Sequence, residues 1–141
     1  MTDPAADNHR NPGLVPVQPH ALAVVVFTNS VDMTWLRVLA QGFRHCFVFV
    51  EVGSDWIMID PLSNQMTIRS LEVISSHDLA SWYTEQGHTA IVTYQRYPMN
   101  RVAPLGLFTC VEVIKRALGI HSVWVQTPFQ LFKYLKKENN P

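Results

Sequence analysis

The feature that most constrains the fold is a pair of apolar runs joined by one short polar turn. The runs are HCFVFVEV and WIMID, and GSD lies between them. Gly53 and Ser54 are turn residues, and placing them at the tip pairs Val48 with Ile59 in an antiparallel hairpin. The sequence therefore predicts a β-hairpin near the middle of the chain.

Patterns on both sides of this hairpin predict the remaining elements. ALAVVVF is a continuous β-branched run typical of a strand buried on both faces, and SVDMTWLRVLAQG follows it with helical spacing. Downstream, the patterns predict a strand in QMTIRSLEV, a helix in SSHDLASWYTEQG, a strand in HTAIVTYQRY, a helix in LFTCVEVIKRALGI, a short strand in SVWVQ and a closing helix in TPFQLFKYLKK. Leu79, Trp82 and Tyr83 are expected to face inward. The expected class is α+β, an antiparallel sheet of about four to six strands with packed helices.

The length and the N-terminal composition predict the domain organisation. At 141 residues the chain fits one domain, which we expect to span residues 21–141. Residues 1–20 are polar and rich in proline, so they are expected to form a mobile N-terminal arm. They also lack a basic and then apolar leader, which predicts a cytoplasmic protein as synthesised, with reduced thiols.

Charge and hydropathy argue against two classes of partner. Eleven basic and eleven acidic side chains leave a formal net charge of zero, so no broad positive field gathers nucleic acid or anionic lipid. No apolar run approaches the roughly eighteen residues that a bilayer span requires. We therefore expect neither a nucleic-acid partner nor a membrane partner.

Three residues have the chemistry of a cysteine hydrolase. His45 begins the first strand of the hairpin, and Asp60 ends the second one on the same predicted face. Cys110 lies at or near a helix N-terminus, where free amides and the helix dipole favour a thiolate and can hold an oxyanion. The histidine would serve as base and the aspartate would orient it. We expect the Cys110 helix to pack on the face that carries His45 and Asp60.

The segment HCFVFVEVGSDWIMIDP resembles the histidine-to-aspartate segment of the transglutaminase-like core. The matching residues are His45, Val50, Glu51, Val52, Trp56, Asp60 and Pro61. CVEVIKRALGI is similar to the cysteine-bearing helix of that superfamily, although Thr109 replaces its usual glycine or tryptophan beside the cysteine. The cysteine helix here follows the histidine strand, as in circularly permuted papain-like enzymes related to NlpC-type cell-wall peptidases. The resemblance implies a papain-like core in permuted order: His strand, Asp strand, then Cys helix.

Two functional hypotheses follow. In the first, the protein is a thiol hydrolase or acyltransferase that cleaves an amide or ester bond through a thioester, such as a peptidase or a cell-wall amidase. Its substrate would be a peptide, an isopeptide or another acyl compound. In the second, a catalytically inactive papain-like fold serves as a binding or assembly module. Its aromatic contact surface would come from Trp35, Trp82, Trp124, Phe129 and Tyr134.

A phage-associated role, including association with the virion, fits both hypotheses. A protein partner is compatible with each of them, and the sequence leaves the oligomeric state open. Each candidate residue also has a purely structural interpretation, since helix cysteines are commonly small core residues and an aspartate before proline is commonly a turn.

Alternative site residues are less favoured. His88 also begins a predicted strand, but it has no acid two strand positions away and ranks second as a base. His45 and Cys46 are adjacent on a strand and point to opposite faces, so they do not fit one zinc ion with Cys110 and Asp60. The glycines are scattered, without a phosphate-binding loop. The sequence therefore predicts no metal and no cofactor.

Overall fold

The computed structural model describes residues 20–30, 38–62, 64–72, 75–96 and 109–140. Within these ranges the elements are β1 Leu22–Thr28, β2 His45–Val52, β3 Asp55–Pro61, β4 Met66–Leu71, α1 Ser76–Glu85, β5 Thr89–Tyr94, α2 Cys110–Leu118 and α3 Pro128–Asn139. The predicted arm, except His20, lies outside the described residues, as does most of the helix predicted after β1. The described part of the chain has an α+β fold.

The strands form one five-stranded antiparallel sheet in the order β4-β3-β2-β1-β5. The predicted hairpin is confirmed, with Val48 opposite Ile59 and Val52 opposite Asp55. β1 lies between β2 and β5, and its residues 23–27 are fully buried. This position explains its continuous apolar run, because both faces of the strand are covered.

Helices cover the two faces of the sheet. On one face, Cys46 and Val48 of β2 join a core with Val111 and Ile114 of α2, to which α3 also contributes. On the other face, Phe49 of β2 packs in a second core with α1. Because side chains alternate along β2, these two cores lie on opposite sides of the sheet.

The prediction that the Cys110 helix packs on the face of His45 and Asp60 was therefore wrong. His45 is two residues before Phe47, and Phe47 packs against the core that contains α1. α2 instead packs on the face that carries Cys46. The physical reason is that α2 buries Val111, Ile114 and Leu118 in the core on the Cys46 face, while Leu79 and Tyr83 of α1 pack in the core on the other face.

Capping residues define the ends of α2 and the start of α3. Thr109 is the N-cap of α2, and its hydroxyl accepts a hydrogen bond from the backbone N–H of Glu112. Gly119 ends α2 in the left-handed conformation with φ 68°, and a Cβ there would lie 2.6 Å from the Arg96 carbonyl oxygen. Thr127 caps α3 in a capping box with Gln130.

Two local predictions were wrong. SVWVQ contains a turn at Val123 and Trp124 rather than a strand. The Val125 carbonyl accepts a hydrogen bond from the Lys115 ammonium group, so a side chain of α2 takes the place of a neighbouring strand. Trp82 is 54% exposed although it was expected inward. No helix in the described ranges has the length and apolar character needed to cross a membrane.

Candidate functional site

The structure brings His45 and Asp60 together at one end of the hairpin. His45 is the first residue of β2, and Asp60 is the penultimate residue of β3. The distance from His45 Nε2 to Asp60 Oδ1 is 2.7 Å, and the two side chains are 14% and 23% exposed. Limited exposure to water strengthens this bond compared with a pair in open solvent.

Cys110 is the first residue of α2 and is partly buried. The hydrogen bond from the Cys46 side chain is the largest cause that lowers the pKa of Cys110, to about 5. Burial opposes this shift, and the hydrogen bond and charge of His45 reinforce it. The position at a helix N-terminus favours the same charged form, because the partial charge there is positive.

His45 responds to the same two neighbours in the opposite direction. Burial by itself lowers the pKa of His45, but hydrogen bonds and charges from Asp60 and Cys110 raise it to about 9. Between about pH 5 and about pH 9, therefore, the favoured state is an imidazolium beside a thiolate. Since Nε2 is bonded to Asp60, Nδ1 is the ring nitrogen that remains for the sulfur.

Cys46 is a member of the site that the sequence analysis did not identify. Its side chain is fully buried, and burial is the main reason that its pKa is raised well above the ordinary value. It points away from His45, as strand alternation requires, but toward the face on which α2 packs. The available signal was the apolar pattern of Cys46, Val48 and Val50, which marks the face that a helix covers.

Tyr83 of α1 borders the site on the face of the sheet opposite to α2. Its ring centroid lies 5.5 Å from that of Phe47. Burial raises the pKa of Tyr83, and the charge of Asp60 adds to this effect. The sequence identified Tyr83 only as a core residue, and its proximity to Asp60 arises from the packing of α1 on the sheet.

His88 does not join the sulfur. It immediately precedes β5; its backbone N–H donates to the Tyr83 carbonyl, and its ring lies 6.1 Å from the Tyr83 ring, centroid to centroid. It is not among the groups that shift the pKa of Cys110. Across the described residues, no group of three or more histidines, cysteines and acidic residues is placed to hold a metal ion.

The aromatic residues proposed as a contact surface divide into two groups. Trp124 is 84% exposed and Trp82 is 54% exposed. Phe129 and Tyr134 are partly buried, and Tyr134 packs against the α2 core. Trp35 lies outside the described residues.

Comparison with known proteins returned no match to a protein-family model, to a curated protein or to a solved structure. The distances, burial and charges described above are therefore the basis for interpreting the site.

Proposed function

We propose that the protein is a thiol hydrolase or acyltransferase in which Cys110 is the nucleophile. His45 would be its general base and acid, and Asp60 would orient the imidazole. The observation that carries the proposal is a single connected arrangement: His45 is bonded to Asp60 at 2.7 Å and interacts with the sulfur of Cys110. A nucleophile, a base and an orienting acid in contact are what this chemistry requires.

In the first step, the thiolate of Cys110 attacks the carbonyl carbon of an amide or ester and forms a carbon–sulfur bond. The carbonyl π electrons move to oxygen and give a tetrahedral oxyanion. When the oxyanion collapses, the bond to the leaving nitrogen or oxygen breaks, and the imidazolium of His45 supplies the proton that the leaving group needs. A thioester on Cys110 and a neutral His45 remain.

Backbone amides at the start of α2 can stabilise the oxyanion. The N–H of Glu112 is already bonded to the Thr109 hydroxyl, and that of Val113 to the Thr109 carbonyl. Helix geometry leaves the N–H groups of Cys110 and Val111 without an intrahelical acceptor. A donor on the nucleophile's own residue lies close to the carbon that the sulfur attacks, which suits it to this role.

In the second step, neutral His45 takes a proton from water or from an amine as that acceptor attacks the thioester. The carbon–sulfur bond breaks, a carboxylic acid or a new amide leaves, and the thiolate–imidazolium pair is restored. Water gives hydrolysis and an amine gives acyl transfer, so the same residues serve both reactions.

The proposal includes a papain-like core in permuted order. Support comes from the chain order, in which β2 with His45 and β3 with Asp60 precede α2 with Cys110. Further support comes from the resemblance of the hairpin sequence to the histidine-to-aspartate segment of transglutaminase-like proteins. Substrates would be peptides, isopeptides or other acyl compounds, as for a peptidase or a cell-wall amidase, and a virion-associated setting fits this activity.

Acyl trapping tests the proposal. The protein is incubated with p-nitrophenyl acyl esters and with peptide p-nitroanilides, quenched in acid and mapped by mass spectrometry. We expect an acyl group on Cys110 that hydroxylamine removes at neutral pH, with none on Cys46. His45→Ala should suppress acylation, while His88→Ala should leave it unchanged. Equal acylation in the wild type and His45→Ala would contradict the proposed mechanism.

The binding or assembly module remains the second candidate, and one observation favours it. Trp124, on the turn between α2 and α3, is 84% exposed, which is unusual for a large aromatic side chain. An inactive fold of this kind would show no acylation of Cys110 with any ester or anilide. A Trp124→Ser variant would then lose partner binding while retaining the melting temperature of the wild type.

A further inference from the structure

Cys46 and Cys110 lie near the starts of β2 and α2, two elements that share one core. Cys110 is the first residue of α2 and packs against the core cluster that contains Cys46. Cys46 is the second residue of β2 and is fully buried. Both cysteines are free, so each sulfur keeps its own hydrogen-bonding capacity.

The directions of two adjacent strand residues explain how the sulfur of Cys110 is approached from two sides. His45 and Cys46 point to opposite faces of the sheet. Both interact with Cys110 because they lie at the end of the strand, next to the start of α2. His45 can supply a charge from one side, and Cys46 can supply a neutral donor from the other.

We propose that Cys46 is a positioning residue for the nucleophile: its buried S–H donates a hydrogen bond to the sulfur of Cys110 and holds that sulfur as a thiolate. This inference rests on the proposed function, because it assigns a role to Cys46 only if Cys110 is the nucleophile. The Cys46 side chain does not itself attack the substrate. The backbone of Cys46 makes a smaller contribution in the same direction and also lowers the pKa of Cys110.

The charge state of Cys46 suits it to be the donor. Burial and the neighbouring Cys110 and Asp60 all raise the pKa of Cys46, so its thiol keeps its proton when Cys110 has lost its own. A thiol is a weak donor toward a neutral acceptor, and a bond to an anion is stronger. The bond therefore stabilises the charged form of Cys110 more than the neutral form.

The groups that act on Cys110 come from β2 and β3. They are the imidazole of His45, the thiol and backbone of Cys46, and the carboxylate of Asp60, which acts through His45. The opposite charges of His45 and Asp60 largely offset one another at a distance. The directional hydrogen bond from Cys46 is therefore a separate contribution that a substitution can remove by itself.

The test compares Cys46→Ser, which keeps a hydroxyl donor of similar size, with Cys46→Ala, which has none. The measured quantity is the pH midpoint of Cys110 alkylation by iodoacetamide, with the melting temperature recorded for each variant. We expect Cys46→Ala to raise the midpoint by about one pH unit or more, and Cys46→Ser to stay within about half a unit of wild type.

Val48→Ala is the matched packing control, because Val48 is fully buried on the same face of the same strand. It should lower the melting temperature without moving the midpoint. An unshifted midpoint in Cys46→Ala, or equal shifts in Cys46→Ser and Cys46→Ala, would overturn the role of Cys46 as a donor.

A measurement on the unsubstituted protein covers the case in which Cys46→Ala does not fold. The infrared S–H stretch of buried Cys46 should move to lower frequency as Cys110 loses its proton, and this movement should be absent in Cys110→Ala. An S–H stretching frequency that does not change as Cys110 titrates would overturn the inference. If His45→Ala still suppresses acylation while the Cys46 variants have no effect, only the role of Cys46 fails; if His45→Ala has no effect, the proposed function fails.

Discussion

Two clusters of charged groups include residues of α2: an ionic cluster within the helix, and a sulfur cluster that joins the first residue of the helix to β2 and β3. The ionic cluster consists of Glu112, Lys115 and Arg116. Glu112 accepts from the Lys115 ammonium group at 2.8 Å and from Arg116 Nε at 3.1 Å. Burial opposes the ionised form, but these bonds lower the pKa of Glu112. Lys115 also donates to the Val125 carbonyl, so the cluster ties α2 to the segment that leads into α3.

The sulfur cluster consists of Cys110, Cys46, His45 and Asp60. Its central pair, Cys110 and His45, is an ion pair when the sulfur has lost its proton and the imidazole holds one. Neighbouring groups favour that transfer by lowering the pKa of Cys110 to about 5 and raising that of His45 to about 9.

The contrast between these two clusters indicates how an ion pair that supports the fold differs from one suited to chemistry. In the ionic cluster, the carboxylate of Glu112 and the ammonium group of Lys115 are both engaged in hydrogen bonds with neighbouring protein groups. In the sulfur cluster, the charged atom is the proposed nucleophile, and the residue that carries it is only partly buried. Removing a member of the first cluster should change stability, and removing a member of the second should change reactivity.

The largest effect is expected from replacing the nucleophile. Cys110→Ser should reduce acyl trapping by roughly a thousandfold or more, because a serine hydroxyl keeps its proton where this thiol loses it. Quantifying the acyl adduct by mass spectrometry checks this prediction. Cys46→Ser is the matched control and should retain most of the activity. Acylation that persists in Cys110→Ser would place the nucleophile elsewhere.

The next largest effect distinguishes His45, which begins β2, from His88, which immediately precedes β5. His45→Ala removes the cationic partner, so the alkylation midpoint of Cys110 should rise from near pH 5 by about two units. His88→Ala should leave that midpoint unchanged, since His88 contacts Tyr83 instead. The measurement is the iodoacetamide rate across pH. A midpoint controlled by His88 would contradict the assignment of the base.

These two histidines also show which features of the site could be predicted from the sequence. The hairpin register follows from local rules, since turn residues and alternation act over a few positions. The pairing of His45 with Asp60 follows from that register. The acid two positions away distinguished His45 from His88 before any packing was known.

Packing between distant segments was harder to predict. The face chosen by α2 depends on how aliphatic and aromatic surfaces fit across the whole core, and no local pattern fixes it. The role of Cys46 was missed for the same reason: alternation placed it opposite His45, but the position of Cys110 relative to the sheet was wrong. The segment that contains the turn at Val123 and Trp124 is likewise held by a residue of another element, since Lys115 donates to the Val125 carbonyl.

A smaller effect is expected at the orienting acid. Asp60→Asn keeps the shape of the side chain but removes its negative charge, so the pKa of His45 should fall from about 9 by about one unit. The imidazolium then loses its proton at lower pH, and the upper limit of the thiolate–imidazolium pair falls with it. Titration of the His45 ring by NMR checks the direction. A pKa that rises or stays fixed would contradict the role of Asp60.

The smallest effect on the sulfur is expected from the ionic cluster. Glu112→Gln removes the charge that faces the buried Lys115 ammonium group, which should cost about 1–3 kcal/mol of stability. The alkylation midpoint of Cys110 should nevertheless move by less than about 0.3 units, because Glu112 is not among the groups that shift it. Thermal melts and alkylation rates on the same samples test this separation. A large shift of that midpoint would show that the ionic cluster also controls the charge of Cys110, and would contradict this prediction.

The most direct test of the central claim compares the two cysteines in the native wild-type protein. Iodoacetamide labelling is followed across pH, with mass mapping of each site. At pH 6 a thiol with a pKa of about 5 is mostly ionised, and after allowing for its lower intrinsic nucleophilicity it should react about tenfold faster than an ordinary exposed thiol. We expect a midpoint near pH 5 for Cys110 and no labelling of buried Cys46. If Cys110 instead titrates near the roughly 8.5 of a free thiol, or reacts no faster than Cys46, it is not an activated nucleophile and the account is contradicted.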